Sequence, residues 1–273
     1  TGVLTVLIAI SAFLFYNVEA DGKLDKKNYV QSTTPTIFFH GYGSSANVER
    51  HMTNAAKKAG VTKTVIRANV DRNGAVTLRG DIPKGAINPI VEVNYEDNRN
   101  PIDVGRYAKA VVSKLQEKYG FTKMNMVGHS LGNMSILYYL LEHAQDENLP
   151  QLQKQVNIAN FVAGLEAMGL SSDVKVDKTT GQPNQITQTF QRLLPLREVF
   201  PQNQIDVLNI YGDYKNGSDG SVLNASSRSL KYLVADNAKS YQEKKIIGKL
   251  AQHSQLHENP EVDKILIQFL WGK

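Results

Sequence analysis

Residues 123–132 read Lys-Met-Asn-Met-Val-Gly-His-Ser-Leu-Gly. Lys123 to Val127 has the short apolar character of a buried strand, and helical spacing resumes at once through Met134, Leu137, Tyr138 and Leu141. The pattern Gly-x-Ser-x-Gly is common by itself. Between a strand and a helix it acquires a physical meaning: the serine sits on a tight turn that lifts its hydroxyl above the sheet edge. Flanking glycines let strand and helix approach without a Cβ between them, and the helix start aims backbone N–H groups at developing negative charge. Ser130 is therefore the candidate nucleophile.

Working outward, strand and helix patterns alternate. Thr36 to His40 reads as a buried strand ending in the turn Gly41-Tyr42-Gly43-Ser44-Ser45, and Val48 to Ala59 has helical spacing closed by Gly60. Thr64 to Val70 and Ala75 to Arg79 flank Asn73-Gly74, a hairpin signal. Asn88 to Tyr95 reads as a strand. Pro101 to Tyr119 reads as a helix with Val104, Ala108, Val111, Val112 and Leu115 on one face. Strands are expected at Val156 to Leu165, Gln204 to Tyr211 and Lys244 to Leu250, and a last helix at Val262 to Trp271. This alternation predicts an α/β fold with a mostly parallel sheet covered on both faces. Residues 169–203 break the rhythm. A polar, turn-rich stretch there leads to a short helical piece, Thr187 to Leu194, and is read as a cap or lid insertion.

Composition narrows the function classes. With 273 residues the chain can bury one full core, and 41% apolar against 21% charged residues describes an ordinary globular protein. The balance of 31 basic to 26 acidic residues is mildly positive, but the lysines are scattered, so no nucleic-acid-binding stripe is expected. The chain has no cysteine, which excludes disulfides, thiolate catalysis and cysteine-held zinc. Residues 1–18 carry no charge, and Val3 to Tyr16 is almost continuously apolar. Residues 1–20 are thus expected to be a signal peptide or membrane anchor, residues 21–34 a linker, and residues 35–273 the folded domain. An exported or membrane-anchored location at the cell surface follows, with envelope association through the N-terminal segment. Oligomeric state is not legible.

A serine hydroxyl needs a base to take its proton, and that base needs a carboxylate to orient it. On this fold class the chain order is serine, acid, histidine. His40 and His129 flank the turns, while His51 and His143 lie in helices before the acid. His253 and His257 remain, and His257, at the entry to the last helix, is preferred. Their i, i+4 spacing could imitate a zinc pair, but no third ligand accompanies them, so neither metal nor cofactor is expected. Asp213 and Asp219 both leave the strand ending at Tyr211. Asp219, in the Gly-rich loop Ser218-Asp219-Gly220-Ser221-Val222, is preferred because a loop carboxylate can turn toward the histidine. Backbone N–H groups of Leu131 and Tyr42 are the expected oxyanion donors.

The His-Gly-x-Gly turn at 40–43, the Gly-His-Ser-Leu-Gly elbow at 128–132, the Ser-Asp-Gly-Ser-Val loop at 218–222 and His-Glu-Asn-Pro-Glu-Val at 257–262 together resemble the DUF915-type α/β hydrolases of Gram-positive cell surfaces. The likeness runs from about Thr36 to the C-terminus. It implies an α/β-hydrolase fold and a Ser130, Asp219, His257 triad. The expected activity is hydrolysis of a carboxylic ester, small or lipidic, through an acyl-enzyme. The same triad would also serve an acyltransferase or an amidase or peptidase, and a non-catalytic surface binding module is the reading from a different class.

Overall fold

The computed structural model describes residues 22–273, so the expected leader at 1–20 lies outside the described residues. Eight strands form one sheet: β1 (Thr36–Phe39), β2 (Val65–Val70), β3 (Val76–Arg79), β4 (Ile90–Tyr95), β5 (Lys123–His129), β6 (Gln151–Ile158), β7 (Asp206–Asp213) and β8 (Ser240–Ile247). Their spatial order is β3-β2-β4-β1-β5-β6-β7-β8. All neighbours pair in parallel except the β2–β3 hairpin. Consequently β1, β4, β5, β6, β7 and β8 all end at one edge of the sheet, where α/β folds place their ligand sites.

Helices cover both faces, as parallel strands buried on two sides require. On one face lie α1 (Arg50–Lys58) and the last helix, α8 (Pro260–Trp271). Met52 and Ala56 of α1 and Val262, Leu266 and Trp271 of α8 pack there with Phe38, Ile90, Val127 and Val156. On the other face lie α2 (Val104–Tyr119) and α3 (Gly132–His143), burying Val111, Leu115, Met134 and Leu137 with Ile37, Val91 and Met126. Each large aliphatic side chain fully buried this way contributes about 1.5–3 kcal/mol. Gly120 ends α2 in the left-handed conformation, where a Cβ would be strained.

Segment 169–203 contains the short helices α4 (Gln188–Leu193) and α5 (Leu196–Val199). Phe190, Leu193, Leu196 and Phe200 are buried in the same core as α3, and the Arg192 guanidinium stacks 3.9 Å from the Tyr138 ring centroid. Helices α6 (Asn224–Arg228) and α7 (Leu230–Val234) follow β7. The stretch before β1 is held against the domain: Val30 N–H donates to the Trp271 carbonyl at 2.9 Å, and Asp25 N–H to the Gly60 carbonyl at 2.8 Å.

Two strands lie earlier in sequence than their patterns suggest. β6 covers 151–158 rather than 156–165, because Ala159 takes a left-handed φ of 51° and turns the chain out of the sheet. Phe161, Val162 and Ala163 are buried in the loop beyond, which is why the apolar run outlasts the strand. β8 covers 240–247 rather than 244–250. It is an edge strand whose Gln242, Lys244 and Lys245 are exposed, so it carries no clean alternation.

Candidate active site

Strand β5 ends at His129, and Ser130 takes φ = 55°, a conformation costly for a residue with a side chain. Local bonds hold it there. Ser130 N–H donates to the Ile158 carbonyl at 3.0 Å. The amide of Asn133 donates to the Ser130 carbonyl at 2.8 Å and to the Ile158 carbonyl at 2.8 Å. Asn133 is fully buried and clamps the turn to β6. Sequence reasoning missed it; the only trace was a polar residue in an apolar helix. Both glycines of the elbow are sterically required. A Cβ on Gly132 would overlap the Phe39 carbonyl, and one on Gly128 would lie 2.7 Å from the Asn133 nitrogen.

The histidine beside Ser130 is His253. Its Nε2 lies 2.9 Å from Ser130 Oγ, and its Nδ1 lies 2.7 Å from Asp219 Oδ2. A carboxylate only accepts, so Nδ1–H donates to Asp219 and Nε2 is left to accept from the Ser130 hydroxyl. The expected contact between Ser130 and His257 is not made. Both histidines lie in the 3₁₀ segment His253–Glu258, where three residues make a turn. Residues four apart therefore point about 120° apart, and only one of them can face Ser130. His257 instead donates from Nδ1 to Glu258 Oε1 at 3.2 Å, and its ring meets that of His129 edge-on at 4.8 Å.

Asp219 is held from all sides. Its Oδ1 accepts from Ser221 N–H at 2.9 Å and Val222 N–H at 2.7 Å, while its own carbonyl accepts His253 N–H at 2.9 Å. Asp213, the alternative acid, is occupied at the strand end by Lys245 Nζ at 2.7 Å. That hydrogen bond holds its carboxyl below the usual carboxylate range. Gly212 makes room for the loop, since a Cβ there would overlap the Ala251 carbonyl.

His129 supports the array from behind. It is buried, and its Nε2 donates to the His253 carbonyl at 2.9 Å. Burial, reinforced by the neighbouring His253 and His257, pushes its pKa well below that of free histidine, so the ring is neutral at pH 7. Asn259 completes the scaffold. It caps α8 by accepting from Glu261 N–H at 2.8 Å and donates to the Leu250 carbonyl at 3.0 Å, tying the helix entry to the loop after β8.

Leu131 and Tyr42 both adjoin Ser130. Leu131 is the first residue of the α3 entry, with helical φ and ψ of −57° and −26°. A Cβ on Gly41 would lie 3.2 Å from that of Ser130, so the loop of Tyr42 runs against the serine. His40 fixes the peptide between Gly41 and Tyr42. Its Nε2 accepts from Tyr95 N–H at 3.0 Å, which leaves Nδ1–H to donate to the Gly41 carbonyl at 2.9 Å. In a trans peptide the Tyr42 N–H then points the opposite way from that carbonyl. The loop is further pinned by Gly43 N–H to the Asn98 carbonyl at 2.7 Å and Ala46 N–H to Asn94 Oδ1 at 3.0 Å.

The product of the gene lin2722 from Listeria innocua is 28% identical, with a TM-score of 0.80 over 88% of this chain and 94% of that one. A protein from Lactobacillus plantarum WCFS1 described as a "putative cell surface hydrolase" shares the fold at 20% identity, with a TM-score of 0.69 over 88% and 91% of the two chains. No curated protein is similar enough to count as a match. Residues 23–273 match the family described as "Alpha/beta hydrolase of unknown function (DUF915)", and the chain belongs to that family.

Proposed function

We propose that this α/β hydrolase is a serine esterase in which Ser130, His253 and Asp219 act as nucleophile, base and orienting acid. The reading is carried by one observation: a single imidazole bridges Ser130 Oγ at 2.9 Å and Asp219 Oδ2 at 2.7 Å. In the first half-reaction Ser130 Oγ attacks the ester carbonyl while His253 Nε2 takes the hydroxyl proton. The tetrahedral oxyanion is received by the N–H groups of Leu131 and Tyr42, and the alcohol leaves with the proton from His253. Water then repeats the sequence on the acyl-enzyme, releasing the acid and restoring Ser130. Asp219 stays ionised throughout and stabilises the imidazolium. Ser130 and His253 are only half-buried, which suits an ester delivered from outside rather than one enclosed in a deep cavity.

We place the enzyme at the cell surface, carrying a small or lipidic ester substrate of the envelope. The uncharged apolar run at residues 1–18 supports export, as does the description of the Lactobacillus plantarum relative. A panel of p-nitrophenyl esters of rising acyl length, run beside peptide p-nitroanilides, tests the activity. Turnover of esters with no peptide cleavage is expected; peptide cleavage without ester turnover would overturn it.

A further inference from the structure

Large apolar side chains exposed to solvent are ordinary when scattered. Among the described residues of this protein they are not scattered. Tyr42 follows β1, Ile102 follows β4, and Met168 and Ile186 lie in the connection leaving β6. Tyr214 follows β7, Ile247 is the last residue of β8, and Leu250 comes just after it. Every one belongs to the sheet edge that carries Ser130. Among the described residues, the outer helix faces and the opposite edge expose no comparable side chain.

The spread and exposure of these residues decide what they fit. From β4 to β8 is five strand spacings, about 24 Å at roughly 4.8 Å each. A groove for one acyl chain would keep its lining largely buried, whereas these side chains are 46–73% exposed, as contact with a lipid surface from outside requires. Tyr42 and Tyr214, 60% and 46% exposed, have the apolar body and polar tip that suit a lipid–water boundary. Charge decides which lipid. Exposed Arg99, Lys175, Lys178, Lys215 and Lys249 in these connections are offset by exposed Glu96, Glu166, Asp173, Asp177 and Glu258. The chain's net charge of +5 therefore lies away from this edge, and attraction to anionic lipid, about 1 kcal/mol per unopposed cation, has no source here.

We propose that the carboxyl-end edge of the sheet docks on a lipid surface without net charge and presents Ser130 to an ester carried in it. The substrate half of this inference rests on the esterase reading, whereas docking itself does not. The absence of cysteine allows single labels to be placed cleanly. In a Ser130→Ala background, which cannot turn over an ester, Met168→Cys and Tyr214→Cys are each labelled with an environment-sensitive fluorophore. Lys84→Cys, in the connection from β3 to β4 at the opposite edge, is the control. On adding phosphatidylcholine vesicles, the labels at 168 and 214 are expected to shift to the blue and resist an aqueous quencher, while the label at 84 stays unchanged. No shift at 168 and 214 or an equal shift at 84 would overturn docking by this edge, and a shift seen only with phosphatidylglycerol vesicles would overturn its preference for a surface without net charge. Because the readout needs no catalysis, docking can fail while the esterase reading stands, and the reverse.

Discussion

Nε2 of His129 lies 2.9 Å from the backbone carbonyl of His253, so the residue before Ser130 holds the chain that carries the imidazole facing it. The bond crosses from the β5 turn to the segment after β8 and is part-buried. Losing the donor frees the His253 backbone while leaving the substrate-binding surface intact. His129→Ala is expected to lower kcat on the order of 10²-fold with KM little changed, the scale of a 1 Å misplacement. His129→Gln, whose amide can donate to the same carbonyl, should recover most of the loss. Steady-state kinetics on a short p-nitrophenyl ester read both. Equal losses in the two variants would show that only packing was disturbed.

Four substitutions separate the site residues from their sequence neighbours. His253→Ala and Asp219→Asn should each cost roughly 10³–10⁴ in kcat, since the first removes the base and the second its orientation. His257→Ala and Asp213→Asn should stay within about tenfold of the parent, because His257 meets Glu258 and Asp213 meets Lys245. A large loss at His257 or Asp213 with folding intact would reverse the assignment.

Stability should fall on acidification in a defined window. Burial holds the pKa of His40, His129 and His257 below the ordinary 6.5. Below pH 6.5 the unfolded chain therefore binds protons that the folded chain refuses, and stability is lost as pH falls, by up to about 1.4 kcal/mol per pH unit for each such histidine. Above pH 6.5 these groups contribute no slope. Thermal unfolding between pH 7.5 and 5.5 should show a steeper fall in Tm for the parent than for His129→Gln, which has no group to protonate there. Parallel curves would remove His129 from this account.

Much of this was legible because the decisive features are local. The strand–turn–helix around Ser130 and the glycines of the turn at 40–43 are read from neighbouring residues, and the sheet brings those two turns together. The two acids differ in what they meet: Asp213 pairs with Lys245 at the strand end, whereas the loop sets Asp219 against the His253 ring. The histidine itself was not legible. His253 and His257 share one short segment, and what separates them is a 3₁₀ pitch together with a bond from His253 N–H to the Asp219 carbonyl. Neither leaves a mark in residue type. Asn133 was missed for the same reason, since its amide N–H groups donate to backbone atoms, the Ser130 and Ile158 carbonyls.

The most direct test is labelling by a fluorophosphonate, which reacts only with a serine activated by its neighbours. The parent chain should incorporate one equivalent at Ser130 and lose ester turnover in step. Ser130→Ala should incorporate none while keeping the thermal unfolding of the parent. Labelling that persists in Ser130→Ala, or a parent that turns over esters without reacting at Ser130, would contradict the account.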